Sequence, residues 1–304
     1  MTKTFLSIGE CMVELSDAGN GLLRRGFAGD TFNMAWYARR LLPAQWQVSY
    51  CSCVGDDALS GEMLRFMADS GVDTTHVARL AGLSPGLYMI SLKDGERSFA
   101  YWRDNSAARR LADDAARLRG AMGGADVIVY SGITLGILTA RAGRELIAAA
   151  AEAKRRGVMV AFDTNYRSRL WQGRSDGAEM MLAAAAASTV VLPGLDDEQV
   201  LFGPCTAGEA ARRYASLGVS TVVVKDGAKG ATVLDGDELT PVVASAPREV
   251  VDTTAAGDSF AAAFLARLAG GAAAVDAARF AAGVAAEVVA ARGALVDIPK
   301  SFSG

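Results

Sequence analysis

The sequence holds one histidine among 304 residues, His76, in the polar run Asp73-Thr-Thr-His76, and it is given no catalytic role. Cysteine is nearly as scarce. Cys11, Cys51, Cys53 and Cys205 show no zinc-type pairing, since Cys51 and Cys53 have only Ser52 between them. They read as reduced thiols of a cytoplasmic protein. A basic excess is also missing: 31 Lys and Arg against 34 Asp and Glu leave a net charge of -3, which argues against a nucleic-acid partner and for small molecules. No apolar run approaches the roughly 18 residues of a membrane span. The longest, Met180 to Leu192, stops at Pro193 and reads as a buried helix followed by a strand. The first, Phe5 to Ile8, is broken by Gly9 and Glu10, which argues against a signal peptide. What is present, 51% hydrophobic and 21% charged residues, suits a single globular domain over 1–304 with a large core.

Short β-type runs alternate with longer helical patterns. Phe5–Ile8, Val48–Val54, Val127–Tyr130, Val158–Asp163, Thr189–Leu192 and Thr221–Lys225 read as strands. Thr31 to Leu42, Leu59 to Asp69, Ala140 to Arg156 and Ala207 to Leu217 carry apolar residues at helical spacing, and Gly71, Gly157 and Gly218 close three of the helices. The pattern predicts an α/β fold with a mainly parallel central sheet flanked by helices. Two stretches break the rhythm. Residues 11–28 and 86–103 lack a helical period, and the second alternates around Lys93-Asp94-Gly95-Glu96 like a hairpin. Together they predict a small β-sheet standing off the main one, placed to act as a lid.

The sharpest segment is Asp252-Thr-Thr-Ala-Ala-Gly-Asp-Ser-Phe260, running into the helical pattern Phe260, Phe264, Leu265, Leu268. A small-residue turn opening a helix is a ready anion site, because unpaired amides and the positive end of the helix dipole both favour phosphate. Asp258 falls in the first turn. An Asp-Ser pair alone would be a helix cap, but two small residues and a glycine before the carboxylate are more than a cap requires.

This run resembles the ribokinase-like (PfkB) carbohydrate kinase signature Asp-Thr-Thr-Gly-Ala-Gly-Asp-Ser-Phe, with Ala255 where most members have glycine. The resemblance implies that Ala255, Ala256, Gly257 and Asp258 form the catalytic segment, with Asp258 as base. Ala28-Gly-Asp-Thr-Phe-Asn-Met-Ala35 resembles the family's sugar-binding motif, which gives Gly29, Asp30 and Asn33 hydroxyl contacts. Cys53-Val-Gly-Asp-Asp57 and Val224-Lys-Asp-Gly-Ala-Lys-Gly230 are also similar to family elements. The implied nucleotide residues are Asn165, Lys225, Gly227, Gly230 and Gly257, although a glycine turn between strands explains Gly227 and Gly230 equally well. Leu195-Asp-Asp-Glu198 stands where many members have Asn-x-x-Glu; Glu198 is then a metal residue acting through water, or part of an acidic helix start. ATP, Mg²⁺ and, optionally, a monovalent cation are implied, as is a homo-oligomer formed through the lid.

Within the family, Ile8-Gly-Glu-Cys-Met-Val-Glu-Leu15, Gly86-Leu-Tyr88, Tyr101-Trp-Arg103, Ser131-Gly-Ile133, Asp163-Thr-Asn-Tyr-Arg167 and Arg169-Leu-Trp171 resemble the 2-keto-3-deoxygluconate kinases. Tyr88, Tyr101, Arg103 and Arg167 become substrate residues. Guanidinium grips a carboxylate bidentately, which a neutral hexose would not use; outside these motifs the two arginines would read as a solvated surface pair. The rivals are a fructokinase or other neutral-sugar kinase, a nicotinamide dehydrogenase and a silent sugar sensor. Gly9-Glu-Cys-Met lacks the Gly-x-Gly-x-x-Gly fingerprint of the dehydrogenase, and the intact Gly257-Asp258 argues against the sensor. At a helix amino terminus Asp258 is expected to be ionised at neutral pH and a weak base.

Overall fold

The computed structural model describes residues 2–93 and 96–302, so Asp94 and Gly95 of the expected turn lie outside the described residues. The chain begins with β1 (Lys3–Ile8), β2 (Met12–Gly19), β3 (Leu22–Ala28), α1 (Asp30–Leu41), β4 (Trp46–Gly55), α2 (Ala58–Asp69) and β5 (Val77–Leu80). It continues through β6 (Leu87–Lys93), β7 (Glu96–Trp102), α3 (Ala115–Gly123), β8 (Val127–Ser131), α4 (Gly132–Ile137), α5 (Ala140–Arg155) and β9 (Met159–Asp163). Then follow α6 (Gly177–Ala186), β10 (Val190–Val191), α7 (Leu195–Phe202), α8 (Ala207–Ala215), β11 (Thr221–Lys225), β12 (Ala231–Asp235), β13 (Glu238–Val242), α9 (Ala256–Ala269) and α10 (Ala274–Val289).

Nine strands form one sheet in the order β13-β12-β11-β10-β9-β8-β1-β4-β5, with parallel pairing throughout except on the two sides of β12, which is antiparallel to both β11 and β13. Apolar residues fill both faces. Along β8, Val127 and Val129 enter one buried cluster while Ile128 and Tyr130 enter the other, which is why the central strands read as continuous apolar runs. Helices α1, α9 and α10 cover the first face, and α5, α6 and α8 the second. The expected stops at Gly71, Gly157 and Gly218 all carry positive φ.

The second sheet has four strands in the order β3-β2-β6-β7. Two antiparallel hairpins, β2–β3 and β6–β7, are joined side by side through parallel pairing of Val13–Ser16 with Leu87–Ile90. Parallel strands in the main sheet end at Ser131, Asp163 and Lys225, so polar side chains gather outside their carboxyl ends, where ligands bind in open α/β sheets.

Candidate active site

A cavity of about 790 Å³ opens at those carboxyl ends and is lined on its other side by β6 and β7. Its wall includes Gly29, Asp30, Asn33, Tyr88, Tyr101, Arg103, Asn165, Arg167, Lys225 and the run Ala255–Asp258. Sequence distances of over 200 residues therefore collapse into one site. Gly227 and Gly230 lie in the turn from β11 to β12, and Glu198 lies in α7; none of the three lines this cavity.

The signature segment is built as a rigid turn. Asp252 is buried and accepts from Thr254 N and Gly293 N, both at 2.8 Å, which ties the loop to the chain beyond α10. Ala255 caps α9 with φ 59° and ψ 12°, left-handed backbone that glycine adopts more readily and alanine holds under strain. Regular helical bonding begins at Ser259, whose N–H reaches Ala255 O at 2.8 Å, and no side chain caps the end. The amides of Gly257 and Asp258 thus belong to the first turn, where donors are left for an anion. Helix α9 is buried from Ser259 to Ala266, so this turn is fixed by the core beneath it.

Asp258 accepts from Asn33 Nδ2 at 2.8 Å, a bond between α9 and α1. Burial, and then the charge of Asp30, push its carboxyl up to about 7, against the opposing pull of Asn33 and Lys225. The expectation of an ionised, weakly basic Asp258 is therefore corrected: desolvation and a neighbouring carboxylate outweigh the helix dipole. Asp30 is itself raised, first by burial. Its Oδ2 accepts from Asn165 Nδ2 at 3.0 Å, and Asn165 reaches it from a positive-φ position, φ 26°, that Asn tolerates better than most residues. Beside them Lys225 Nζ lies 2.6 Å from Asp163 Oδ2, with Gly257 close by.

At the end nearest the four-stranded sheet, Arg103 is buried and bonded to Glu10 Oε2, while Tyr88 donates to Glu14. Arg103 is thus no solvated surface residue. A Cβ on Gly86 would stand 2.7 Å from Glu10 Oε1, so the pair packs against a position only glycine fits. Arg167 is exposed, 3.7 Å from Asp197 Oδ1. The sequence quoted Glu10, Asp163 and Arg169 within motifs but assigned them no role; all three line the cavity.

Glu198 is fully buried, and its two oxygens are taken by Arg213 Nη1 at 2.6 Å and the Tyr214 hydroxyl. That arrangement leaves it no contact with the cavity. Among the described residues no group of three or more His, Cys, Asp or Glu is placed to hold a metal ion, and no helix is long and apolar enough to cross a membrane.

A family profile described as pfkB family carbohydrate kinase matches residues 3–301. A 2-dehydro-3-deoxygluconokinase of Dickeya dadantii (strain 3937) is 39% identical, with 98% of each chain covered. That of Escherichia coli (strain K12) is 38% identical over 97% of this chain and 98% of its own. Among solved structures, a fructokinase with bound ATP from Xylella fastidiosa superposes with a TM-score of 0.85 at 21% identity, covering 100% of this chain and 95% of that one.

Proposed function

The chain belongs to the pfkB family of carbohydrate kinases, and on that premise we propose that it phosphorylates the terminal hydroxyl of 2-keto-3-deoxygluconate with ATP. The supporting observation is the meeting, in one cavity, of the Ala255–Asp258 turn with Arg103, Arg167 and the lid tyrosines. The γ-phosphoryl lies at the amino end of α9, where the first-turn amides and Lys225 stabilise charge as it transfers. The substrate oxygen forms the new P–O bond, the bond to the bridging oxygen of ADP breaks, and the hydroxyl proton passes to Asp258. Asn33 holds Asp258 Oδ2 and leaves Oδ1 to take that proton. A carboxyl near 7 is well matched to this task at neutral pH.

Mg²⁺ carried on the phosphates of ATP would neutralise charge there; it keeps water ligands readily and needs few protein carboxylates. The four-stranded sheet serves as the lid that excludes water. Its edge strands β3 and β7 expose Leu22, Leu23 and Trp102, which supports a homo-oligomer through the lid. The test is an ADP-release screen with neutral sugars, aldonates and 2-keto-3-deoxy acids, run in Na⁺ and in K⁺ salts. Turnover of 2-keto-3-deoxygluconate above the neutral sugars is expected; rapid turnover of fructose or ribose with none of the acids would overturn the assignment.

A further inference from the structure

The four-stranded sheet is joined to the body by four chain crossings: residues 9–11 from β1 to β2, Gly29 from β3 to α1, the chain that reaches β6 through Gly86, and Arg103 just after β7. Glu10 stands where they meet. It lies in the first crossing, and its carbonyl oxygen would be 2.2 Å from a Cβ placed on Gly29, in the second. Its Oε1 would be 2.7 Å from a Cβ placed on Gly86, in the third, and its Oε2 accepts from Arg103 Nη2, in the fourth. The side chains of Glu10 and Arg103 are buried, yet both residues line the cavity. Glu10 Oε1 and Arg103 Nε have no hydrogen-bond partner among the described residues.

We infer that Glu10 is a positioning residue that clasps the four-stranded sheet to the body and fixes the angle at which that sheet covers the cavity. It rests on the reading of this sheet as a lid. A carboxylate–guanidinium pair removed from water is strongly directional, because neither charge has solvent to turn to when the pair opens. Rotation of the sheet about its crossings moves Gly29, Gly86 and Arg103 relative to Glu10, so one carboxylate residue resists the motion at three points. The two glycines make this possible, since a side chain at either would hold Glu10 away from its crossing. The unpartnered Oε1 and Nε leave the clasp bonds still to form, and closure of the sheet over a bound substrate supplies them.

The test compares wild type with Glu10→Gln, which keeps the shape and removes the charge, and with Gly86→Ala, which drives a methyl against Oε1 and leaves every charge in place. Amide hydrogen exchange is read separately in the β2–β3 and β6–β7 segments and in β8 and β9 of the body, and ADP and sugar phosphate are measured on the same preparations. Losing a hydrogen bond between charged groups should speed exchange of the small sheet by about 10- to 100-fold in Glu10→Gln, with β8 and β9 unchanged. Sugar phosphate formed per ADP should fall in both variants, because water reaches ATP under a loosened cover, while KM for ATP holds. Unchanged exchange of the small sheet in Glu10→Gln overturns the inference. Faster exchange there and in β8 and β9 alike, with a lower Tm, also overturns it, since Glu10 then supports the whole fold. Faster exchange in the small sheet alone at an unchanged product ratio would overturn the part of the clasp in covering the cavity. Wild type that turns over no sugar acid would strike the substrate assignment instead, and the exchange comparison would still decide the clasp.

Discussion

Among the described residues, two buried carboxylates, Glu10 and Glu198, are each bonded to a guanidinium, and they are finished differently. Around Glu198 every carboxylate oxygen is used, one by Arg213 and one by Tyr214, far from the cavity wall. Around Glu10 the pairing is incomplete: Glu10 Oε1 and Arg103 Nε are buried without a hydrogen-bond partner, and both residues line the cavity. Buried polar atoms left unpaired cost stability, so a fold retains them where a second purpose is served. The first pair holds α7 against α8; the second leaves unused bonding capacity beside a ligand site.

The largest effect that would test this division is Asp258→Asn. If the charges around the cavity serve chemistry, kcat should fall by roughly 10²–10⁴, the usual worth of a positioned general base, with the fold intact. Stopped-time assays of ADP formation measure it, and a kcat within a few-fold of wild type would make the cavity carboxylates as structural as Glu198. The converse substitution is Glu198→Ala, which strands Arg213 and the Tyr214 hydroxyl. Breaking a buried pair costs roughly 3–5 kcal/mol, read from urea denaturation, while kcat per folded molecule and the Mg²⁺ requirement should hold. A raised Mg²⁺ requirement at unchanged stability would return Glu198 to a metal role.

The smallest effects are those of pH. With Asp258 raised to about 7, its proton-accepting form is lost as pH falls, so kcat/KM should drop tenfold per unit below about 7 and level off above it. Stability should move the other way. The folded state keeps this proton to a higher pH than the unfolded chain, whose Asp titrates near ~3.9, so folding loses stability as pH rises between those values. Asp258→Asn removes that loss, and its Tm relative to wild type should be higher at pH 8 than at pH 5. A pH-independent difference would mean that Asp258 titrates like an exposed carboxylate.

Much of the fold was legible because its signals are local. Apolar periodicity marked the helices of the body, continuous apolar runs marked strands buried on both faces, and the missing helical period at 11–28 and 86–103 marked the second sheet. The signature turn was legible too, including the alanine at 255 in place of glycine, though not the left-handed backbone it adopts. What stayed hidden was convergence. Nothing in the order of residues shows that Asp30, Asp163 and Asp258 meet, which is why the helix dipole looked decisive for Asp258 until burial and Asp30 were seen beside it. Glu10 and Arg103 stand 93 positions apart, so their mutual neutralisation could not be read from either motif. The partners of Glu198 were hidden in the same way, since Arg213 and Tyr214 lie on the following helix.

The parallel join between β2 and β6 also sets a timetable. Strands β2 and β3 are made in succession, but the strand that covers the open edge of β2 follows only after α1, β4, α2 and β5. At roughly 5–20 residues per second the first hairpin spends seconds with that edge exposed, the condition in which strands pair with the wrong chain. Early packing of the β2–β3 hairpin against the body, before β6 is made, would then limit how much of the newly made protein aggregates.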